Sequence, residues 1–297
     1  MANLEVRRAR ASDRDRVLEF TRDTFPRGDY IHRVFDSWLL DESGRLLVAE
    51  LDGVVVGMNF VKLTKVGEVW LQGGRVEKSH RREGIGLAMV NECLRIAREE
   101  MDARIARVIT DKTNLPPQEM LSRLGFKKLC EFTQLEKKAQ RIEDDLLMKD
   151  VKPADEKSTP DIWRYMGNSS IFRESGGLRT LRFIWYSLDE EDLARLASEG
   201  KAFVYNPGRS IRGVMIVDDT TIEAKAEKSI QTCYFDADSS NASKALASFL
   251  VNLASSKGLE TVKLWTYTDM GIIRSLREIG FAGELDESTE IVWMKRL

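Results

Sequence analysis

The sequence predicts an α/β (α+β) protein built from two related halves, and three observations lead to that prediction. An apolar strand at residues 69–76 runs through an arginine- and glycine-rich turn into an amphipathic helix. Two apolar runs flank Asp52-Gly53, a dipeptide typical of tight β-hairpins. The same order of signals returns in the second half of the chain, and 297 residues are enough for two domains.

Composition narrows the class of protein. The chain is 42% hydrophobic and 32% charged with a formal net charge of −2, so it has no basic excess and we expect no nucleic-acid partner. No apolar run approaches the roughly 20 residues of a membrane span, and the N-terminus lacks a signal-peptide core. We therefore expect a cytoplasmic protein without a membrane partner.

Cysteine and histidine usage argues against a metal site. Cys93, Cys130 and Cys233 are odd in number and widely spaced, which predicts free buried thiols in a reducing compartment. Two histidines leave little material for a histidine-based metal centre. We expect no metal.

The elements of the first half follow one another clearly. Residues 45–60 predict a hairpin around Asp52-Gly53, and residues 69–76 predict an extended strand. A helix follows, since its apolar side chains recur at helical spacing; these are Leu87, Val90, Leu94 and Ala97. A short apolar strand at 106–110 precedes Asn114 and a helical stretch that ends at Leu124-Gly125-Phe126.

The turn between strand and helix reads Arg81-Arg82-Glu83-Gly84-Ile85-Gly86. Gly84 and Gly86 lack the side chains that would keep a ligand off the backbone. The N–H groups of a first helical turn and the helix dipole favour an anion there, and the arginines add cationic donors. The pattern predicts a pyrophosphate site, with an ordinary strand-to-helix turn as the alternative.

Two common nucleotide loops do not fit this turn. A Walker loop needs Gly-Lys-Ser/Thr, but Gly86 is followed by Leu87 and Ala88. A dinucleotide-binding loop needs a third glycine where this chain has Met89, and an acidic residue about 20 positions later.

A polar stretch at residues 136–161 contains Pro153 and Pro160 and predicts a linker. We place the domain boundary near residue 150, which gives a first domain at 1–150 and a second at 151–297. Residues 202–213 align without gaps on residues 46–57, at an offset of 156, and Gly280-Phe281 follows Gly125-Phe126 by 155. An unrelated α+β domain is the alternative to a repeat.

The second half lacks the chemistry of the first. Its equivalent turn, from Asp236 through Asp238 to Lys244, has no glycine pair and no arginine. Two carboxylates would repel a pyrophosphate, and the Cβ atoms would block close approach to the backbone. We expect one active site per chain.

Residues 3–136, and the Arg-x-x-Gly-x-Gly turn above all, resemble the GNAT (GCN5-related) N-acetyltransferase superfamily. The resemblance implies a GNAT fold: a mixed, mostly antiparallel sheet with a splayed central strand, flanked by helices and repeated as a degenerate second copy. It implies acetyl-CoA as co-substrate. It also implies that Gly74, Arg75 and Val76 bind the pantetheine and thioester, with the Val76 N–H as oxyanion donor.

The same resemblance assigns the pyrophosphate contacts to the turn and one further contact to Asn114, which matches an asparagine that touches the pantetheine arm. The turn residues are Arg81, Arg82, Glu83, Gly84, Ile85, Gly86 and Leu87.

Two departures from the superfamily concern catalysis. Gln72 stands where many relatives carry a Glu or His base, and Leu121 stands where many carry a Tyr acid. A glutamine can orient water but is no useful base at neutral pH. Tyr30, Glu68 and Glu77 are candidate substitutes, each with packing or solvation as the alternative. Neutralising a lysine side chain costs about 3.5 kcal/mol more than neutralising an α-amine, so a weak base favours an α-amine acceptor.

Residues 25–39 predict the acceptor side, with a turn at Pro26 and Gly28 followed by an apolar helical stripe. We expect Asp29, Tyr30 and Trp38 to contact the amine, because an Asp–Tyr pair can bind an ammonium group. The segment locally resembles enzymes that acetylate the α-amine of free histidine.

The predicted function is acetyl transfer to a primary amine, the α-amine of a small molecule such as an amino acid. A protein lysine or N-terminal acetyltransferase and a non-catalytic acyl-CoA sensor are the alternatives. A second copy of the chain is a candidate partner, with which it would form a homodimer.

Overall fold

The computed structural model describes residues 3–24, 28–208, 210–218 and 228–297. The chain forms two compact units, each assembled from more than one stretch. The first unit comprises Met1–Thr110, Leu115–Lys128 and Trp293–Leu297, and the second comprises Asp111–Asn114 and Leu129–Val292. The boundary near residue 150 stays a prediction.

The strands are β1 (Leu4–Arg8), β2 (Gly44–Leu51), β3 (Val54–Lys65), β4 (Glu68–Val76), β5 (Ile105–Asp111), β6 (Lys127–Lys138), β7 (Val151–Pro153), β8 (Leu178–Leu181), β9 (Ile184–Ser187), β10 (Ala202–Tyr205), β11 (Gly213–Asp218), β12 (Ser229–Ala237), β13 (Thr261–Tyr267) and β14 (Thr289–Arg296). The α-helices are α1 (Arg14–Thr21), α2 (Ile31–Leu39), α3 (Ile85–Glu99), α4 (Leu115–Arg123), α5 (Asp145–Met148), α6 (Thr159–Asn168), α7 (Ser170–Glu174), α8 (Glu190–Ser198), α9 (Ser240–Ser256) and α10 (Met270–Glu278). Short 3₁₀ turns lie at Ala11–Asp13, Lys78–His80 and Glu156–Ser158.

The sheet of the first unit runs β1-β2-β3-β4-β5, antiparallel except for the parallel pair β4–β5. The side chains of β2 and β3 separate into two buried clusters, and a β-bulge at Val56 shifts the alternation along β3. One contains Met58 and Phe60 and packs against Phe35 of α2. The other contains Val56 and packs against Met89 of α3.

The predicted hairpin is confirmed. Asp52 and Gly53 have φ angles of 49° and 84°, the left-handed backbone that a two-residue hairpin turn requires at both central positions. Leu51 and Val54 pair directly across the turn.

The second unit repeats the arrangement. Its sheet contains the order β6-β13-β12-β11-β10-β7, antiparallel except for the parallel pair β12–β13. Between the two aligned segments lie β12, α9 and β13, a strand–helix–strand order that matches β4, α3 and β5 of the first unit.

Corresponding glycines serve the same packing purpose in the two units. A Cβ on Gly57 would lie 2.9 Å from Met89 Cε of α3, and a Cβ on Gly213 would lie 2.8 Å from Leu246 Cδ1 of α9. Both helices therefore pack closely against their strands because the strand residue has no side chain. Arg209, within the aligned segment, lies outside the described residues.

The polar stretch predicted as a linker contains structure. It holds the end of β6, helix α5 and strand β7, which pairs with β10 from Val151↔Tyr205 to Pro153↔Phe203. Backbone hydrogen bonds in an edge strand do not require apolar side chains, so the composition of the stretch hid the strand.

The three cysteines are free and buried, which confirms that part of the prediction. Burial raises the pKa of the Cys93 thiol, so it is held as an inert thiol. No helix among the described residues is long and apolar enough to span a membrane.

Candidate active site

The central feature of the first unit is an opening between β4 and β5. The two strands pair only at Glu68↔Ile105, Val69↔Ala106 and Trp70↔Arg107. β4 continues to Val76 and remains paired with β3 on its other side. The parallel pair therefore splays after its third residue, as the family resemblance predicts.

The backbone of Val76 faces this opening. Glu77 N donates to Val56 O at 2.8 Å, so residues 56 and 77 form a hydrogen-bonded pair of the antiparallel ladder. The next pair, Gly57↔Val76, is then of the non-hydrogen-bonded type, whose N–H and C=O groups point away from the partner strand. The Val76 N–H points toward the side on which β5 has diverged.

A β-bulge lies just before Val76. Gly73 and Gly74 of β4 face the single residue Asn59 of β3, and Gly73 has a φ of +70°. A Cβ on Gly73 would lie 2.5 Å from Trp38 Cζ3. Gly73 therefore permits both the bulge and the close approach of the Trp38 ring to the strand.

The start of α3 offers bare amides. Gly84 caps the helix with a φ of +83° and supplies no side-chain hydrogen bond. Ala88 N is the first helical amide with an acceptor, Gly84 O at 3.0 Å. Within the described part of the chain, the N–H groups of residues 85–87 have no backbone or side-chain acceptor, as expected for an uncapped helix N-terminus.

The two glycines of this turn differ in what limits them. A Cβ at Gly84 would meet no atom within 4 Å, but its positive φ disfavours any side chain. A Cβ at Gly86 would lie 3.4 Å from Met120 Sδ and 3.8 Å from Val76 Cγ2, both ordinary contacts or close to them. The protein can therefore accept a side chain at Gly86, next to the end of β4.

The charged turn residues are exposed, as a ligand contact needs. Arg81 Nε donates to Val76 O at 3.4 Å, and Arg82 takes a left-handed φ of 71°. Glu83 Oε2 lies 3.2 Å from Nδ1 of His80. Ile85 is 2% exposed, so it can contribute only its N–H, whereas Leu87 is 39% exposed.

Arg16 and Glu77 form an ion pair beside this turn that the sequence did not reveal. Arg16 Nη2 donates to Glu77 Oε2 at 2.6 Å and Arg16 Nε donates to Val55 O at 3.1 Å. The two residues are 61 positions apart, so no local pattern links them. The pair ties α1 to the residue that follows β4, and it engages the carboxylate considered as a substitute base.

The acceptor side is built around Arg75. Its Nε donates to Asp29 Oδ2 at 2.7 Å, and the Asp29 side chain is 2% exposed. The Arg75 guanidinium lies 5.5 Å from the centre of the Tyr30 ring. The Asp29 carboxylate is thus already neutralised by a guanidinium, which leaves Tyr30 rather than Asp29 as the accessible part of the predicted pair.

Aromatic rings line the same side. Trp38 stacks on Phe60 with ring centres 4.6 Å apart and planes at 5°, and Tyr30 meets Trp38 edge-on at 6.1 Å. Tyr30 is 41% exposed, and desolvation raises its pKa while Arg75 opposes the rise. A phenol with a raised pKa stays protonated at neutral pH and can donate but not accept a proton there. Phe25, Pro26 and Arg27 of the predicted acceptor segment lie outside the described residues.

The catalytic candidates on β4 occupy different environments. Gln72 is half-buried beside the bulge, and its amide makes no hydrogen bond with any described residue. Glu68 lies four residues earlier, about 13 Å along the strand. Arg107 Nη1 donates to Glu68 Oε2 at 2.7 Å where β4 and β5 are still paired, so this carboxylate belongs to the closed end.

The structure also shows the surroundings of Leu121 and Asn114. Leu121 is 2% exposed in α4, so it packs in the core. Asn114 is exposed, directly precedes α4, and donates its N–H to Asp111 O at 3.1 Å. Asn114 belongs to the second unit, and its contact to the pantetheine arm stays a prediction.

Residues 14–126 match the sequence profile of the acetyltransferase (GNAT) family. The chain therefore contains a GNAT acetyltransferase domain. It is an acetyl-CoA-dependent acyltransferase of that family, and the described residues contain no group of three or more His, Cys, Asp or Glu side chains that could hold a metal ion.

Known proteins similar to this GNAT chain agree with the assignment. An N-alpha-acetyltransferase of Sulfurisphaera tokodaii is 27% identical over 135 residues, covering 42% of this chain and 80% of that protein. The crystal structure of a GCN5-related N-acetyltransferase from Sphaerobacter thermophilus covers 99% of this chain and 95% of its own, with a TM-score of 0.66 at 11% identity. A tandem GNAT protein from the clavulanic acid biosynthesis pathway covers 99% and 98%, with a TM-score of 0.55 at 13% identity. The tandem GNAT fold covers the whole chain.

Proposed function

We propose that this GNAT enzyme transfers the acetyl group of acetyl-CoA to the α-amine of a small molecule such as an amino acid. The observation that carries the proposal is Gln72, an uncharged amide at the bulge beside the β4–β5 opening, at the position where the family resemblance places a Glu or His base. An acceptor whose pKa lies close to neutrality needs the least help to lose its proton.

The turn fits the co-substrate. The free N–H groups of Ile85, Gly86 and Leu87 and the exposed Arg81 and Arg82 would hold the pyrophosphate. A thioester supplies an acyl carbon that is already reactive, so the chain's own task is placement and charge stabilisation. The Val76 N–H, aimed into the opening, would donate to the developing oxyanion.

The acceptor wall supports an α-amine rather than a lysine side chain. Because Arg75 neutralises Asp29, this buried carboxylate does not stand open to stabilise an ammonium group. Tyr30 and Trp38 offer ring surface and a protonated phenol instead. Gln72 would orient a water molecule that receives the proton from the attacking amine.

A second candidate acceptor is the N-terminal α-amine of a polypeptide. The name of the Sulfurisphaera tokodaii relative favours it, and Gln72 suits this amine equally well because it is also an α-amine. The two candidates differ in the size of the acceptor and not in its chemistry.

The test measures thiol release from acetyl-CoA with the full-length chain. The acceptors are the twenty free L-amino acids, short peptides with free N-termini, the same peptides with acetylated N-termini, and Nα-acetyl-lysine. We expect turnover with free amino acids, little with N-terminally blocked peptides, and little with Nα-acetyl-lysine.

Preference for peptides with free N-termini over all free amino acids would establish the second candidate. Preference for Nα-acetyl-lysine would contradict an α-amine acceptor altogether. Stabilisation by coenzyme A in thermal unfolding without thiol release for any acceptor would show a binding protein without transferase activity.

A further inference from the structure

The last five residues of the chain, Trp293–Leu297, belong to the first unit, although residues 129–292 belong to the second. They lie along β5. Leu297 N donates to Arg104 O at 2.9 Å, just before β5 begins, and Trp293 Nε1 donates to Thr110 Oγ1 at 2.9 Å near its end. The C-terminal segment therefore follows β5 along its length.

The second of these bonds is buried. Trp293 is 9% exposed and Thr110 is 6% exposed. A buried hydrogen bond between two side chains fixes both of them, because each group would otherwise be left without a partner away from water. The two residues are 183 positions apart, so the bond adds a side-chain link to the backbone contact between β5 and the C-terminal segment.

The position of this bond matters for the opening. β4 supports β5 only as far as Arg107, and Thr110 lies three residues beyond that point. A strand that has lost one neighbour is positioned by the other. On β5, the neighbour that remains at Thr110 is the segment that carries Trp293.

We propose that Trp293 is a positioning residue for acetyl transfer, because its hydrogen bond to Thr110 holds the diverging part of β5 at the distance from β4 that the opening requires. Trp293 acts through Thr110. The proposal rests on acetyl transfer by the family and not on which amine is acetylated.

The chain offers the variants that separate this role from ordinary packing. Trp293→Phe keeps an aromatic ring but removes the donor, and Thr110→Val keeps the shape but removes the acceptor. Thr110→Ser restores the acceptor. Trp163→Phe is the matched control, since Trp163 packs edge-on against Phe172 in the second unit, with ring centres 5.4 Å apart.

The measurements are kcat and KM for acetyl-CoA, with the amine of highest turnover from the panel above, and the Kd of coenzyme A by calorimetry. We expect Trp293→Phe and Thr110→Val each to lower kcat about tenfold, since a hydrogen bond contributes up to about 1.5 kcal/mol and 1.4 kcal/mol is tenfold. KM and Kd should stay within about twofold of the wild type, because α3 holds the pyrophosphate.

A double-mutant cycle decides whether the bond itself is responsible. The double variant should be no slower than either single variant, and Thr110→Ser and Trp163→Phe should retain wild-type kcat. A hundredfold loss in the double variant, an unchanged kcat in both single variants, or an equal loss of coenzyme A affinity would overturn the proposal.

Hydrogen–deuterium exchange supplies a readout that needs no acceptor. The amides of residues 108–110 should exchange faster in Trp293→Phe and Thr110→Val, while those of the β2–β3 hairpin stay protected as in the wild type. Unchanged exchange at 108–110 would overturn the proposal even if the panel yields no turnover, which separates its failure from that of the proposed function.

Discussion

The two strand-to-helix turns, β4 to α3 in the first unit and β12 to α9 in the second, share a backbone plan and differ in chemistry. β12 pairs with β13 at three positions, from Ser229↔Thr261 to Gln231↔Lys263, just as β4 pairs with β5 at three. Asp238 N donates to Arg212 O at 3.1 Å, so the N–H of Ala237, like that of Val76, points away from the antiparallel partner. In the second unit, however, Thr232 Oγ1 donates to Trp265 O at 2.8 Å and accepts from Trp265 N at 2.7 Å, so this side chain links β12 to β13 where their ladder ends.

The difference lies in the helix ends. α3 begins after Gly84 without a side-chain cap, whereas Ser239 caps α9 by accepting from Ala242 N at 3.3 Å. A capped helix end has fewer free amides for an anion. The serine cap is thus a further reason to expect no pyrophosphate site at the second turn.

The two carboxylates of the second turn were expected to repel a pyrophosphate, but in the structure both are bonded to other side chains of the second unit. Asp236 is 1% exposed and accepts from Tyr234 Oη at 2.7 Å and Tyr165 Oη at 3.1 Å. Burial raises its pKa, and its carboxylate oxygens are directed into the unit. Asp238 pairs with Arg212 at 2.5 Å. The same fold therefore presents an uncapped helix end in one copy and an internal polar network in the other.

The largest effect is expected from a side chain at Gly86 of α3, which should make the first turn bind coenzyme A as poorly as we expect the second turn to bind it. Gly86→Val should lower coenzyme A affinity at least about 100-fold, because the new atoms would occupy the space proposed for the phosphate, while a Cβ at this position meets its nearest protein atom, Met120 Sδ, at 3.4 Å. Calorimetry measures the Kd. Gly167→Val is the matched control, a helical glycine of the second unit where an added Cβ would meet no atom within 4 Å. Wild-type affinity in Gly86→Val would refute the site.

A second test concerns the buried carboxyl group of Glu290 in the second unit. Burial, with Asp111 nearby, raises the pKa of Glu290 from 4.5 to about 7. A raised carboxyl pKa means that the folded state holds a proton the unfolded state has released, so this contribution to stability is present below about pH 4.5 and is lost as the pH rises through 7. At 1.36 kcal/mol per pH unit the loss amounts to about 3 kcal/mol.

Glu290→Gln should remove that loss. Thermal unfolding from pH 4.5 to 8 should show the wild type losing stability relative to Glu290→Gln as the pH increases, while Glu290 becomes charged. Parallel curves for the two proteins would show that Glu290 titrates normally.

A third test concerns Gln72 on β4. Gln72→Ala should lower kcat by no more than about 10–100-fold, since orienting a water contributes less than general-base catalysis does. Gln72→Glu should raise turnover with Nα-acetyl-lysine relative to free amino acids, because a carboxylate can take the proton of a more basic amine. Complete loss of activity in Gln72→Ala would mean that the amide itself is essential to the reaction.

The mildest change is expected at the serine cap of the second turn. Ser239→Ala should lower the free energy of unfolding by about 1 kcal/mol, the usual contribution of an N-cap, with kcat unchanged. Urea unfolding followed by circular dichroism measures it. A fall in kcat that exceeds the fall in stability would give the second turn a part in catalysis.

Much of this protein follows from its sequence because the relevant interactions are local. The Asp52-Gly53 hairpin, the glycines of the α3 turn and the strand–helix–strand order each depend on residues within a few positions of one another. The same holds for Gly125 and Gly280, which have φ angles of 78° and 87° just after the ends of α4 and α10. Backbone conformation at such points is set by neighbouring residues, so it can be predicted.

Only the tertiary structure decided which distant side chains meet. Asp29 faces Arg75 across 46 positions and Trp293 faces Thr110 across 183, and no spacing in the chain marks either pair. The sequence therefore does not reveal the partner of the Asp29 carboxylate, and the fold supplies Arg75, which neutralises it. Packing determines these partners, because a folded core brings together residues whose separation along the chain has no fixed relation to their distance in space.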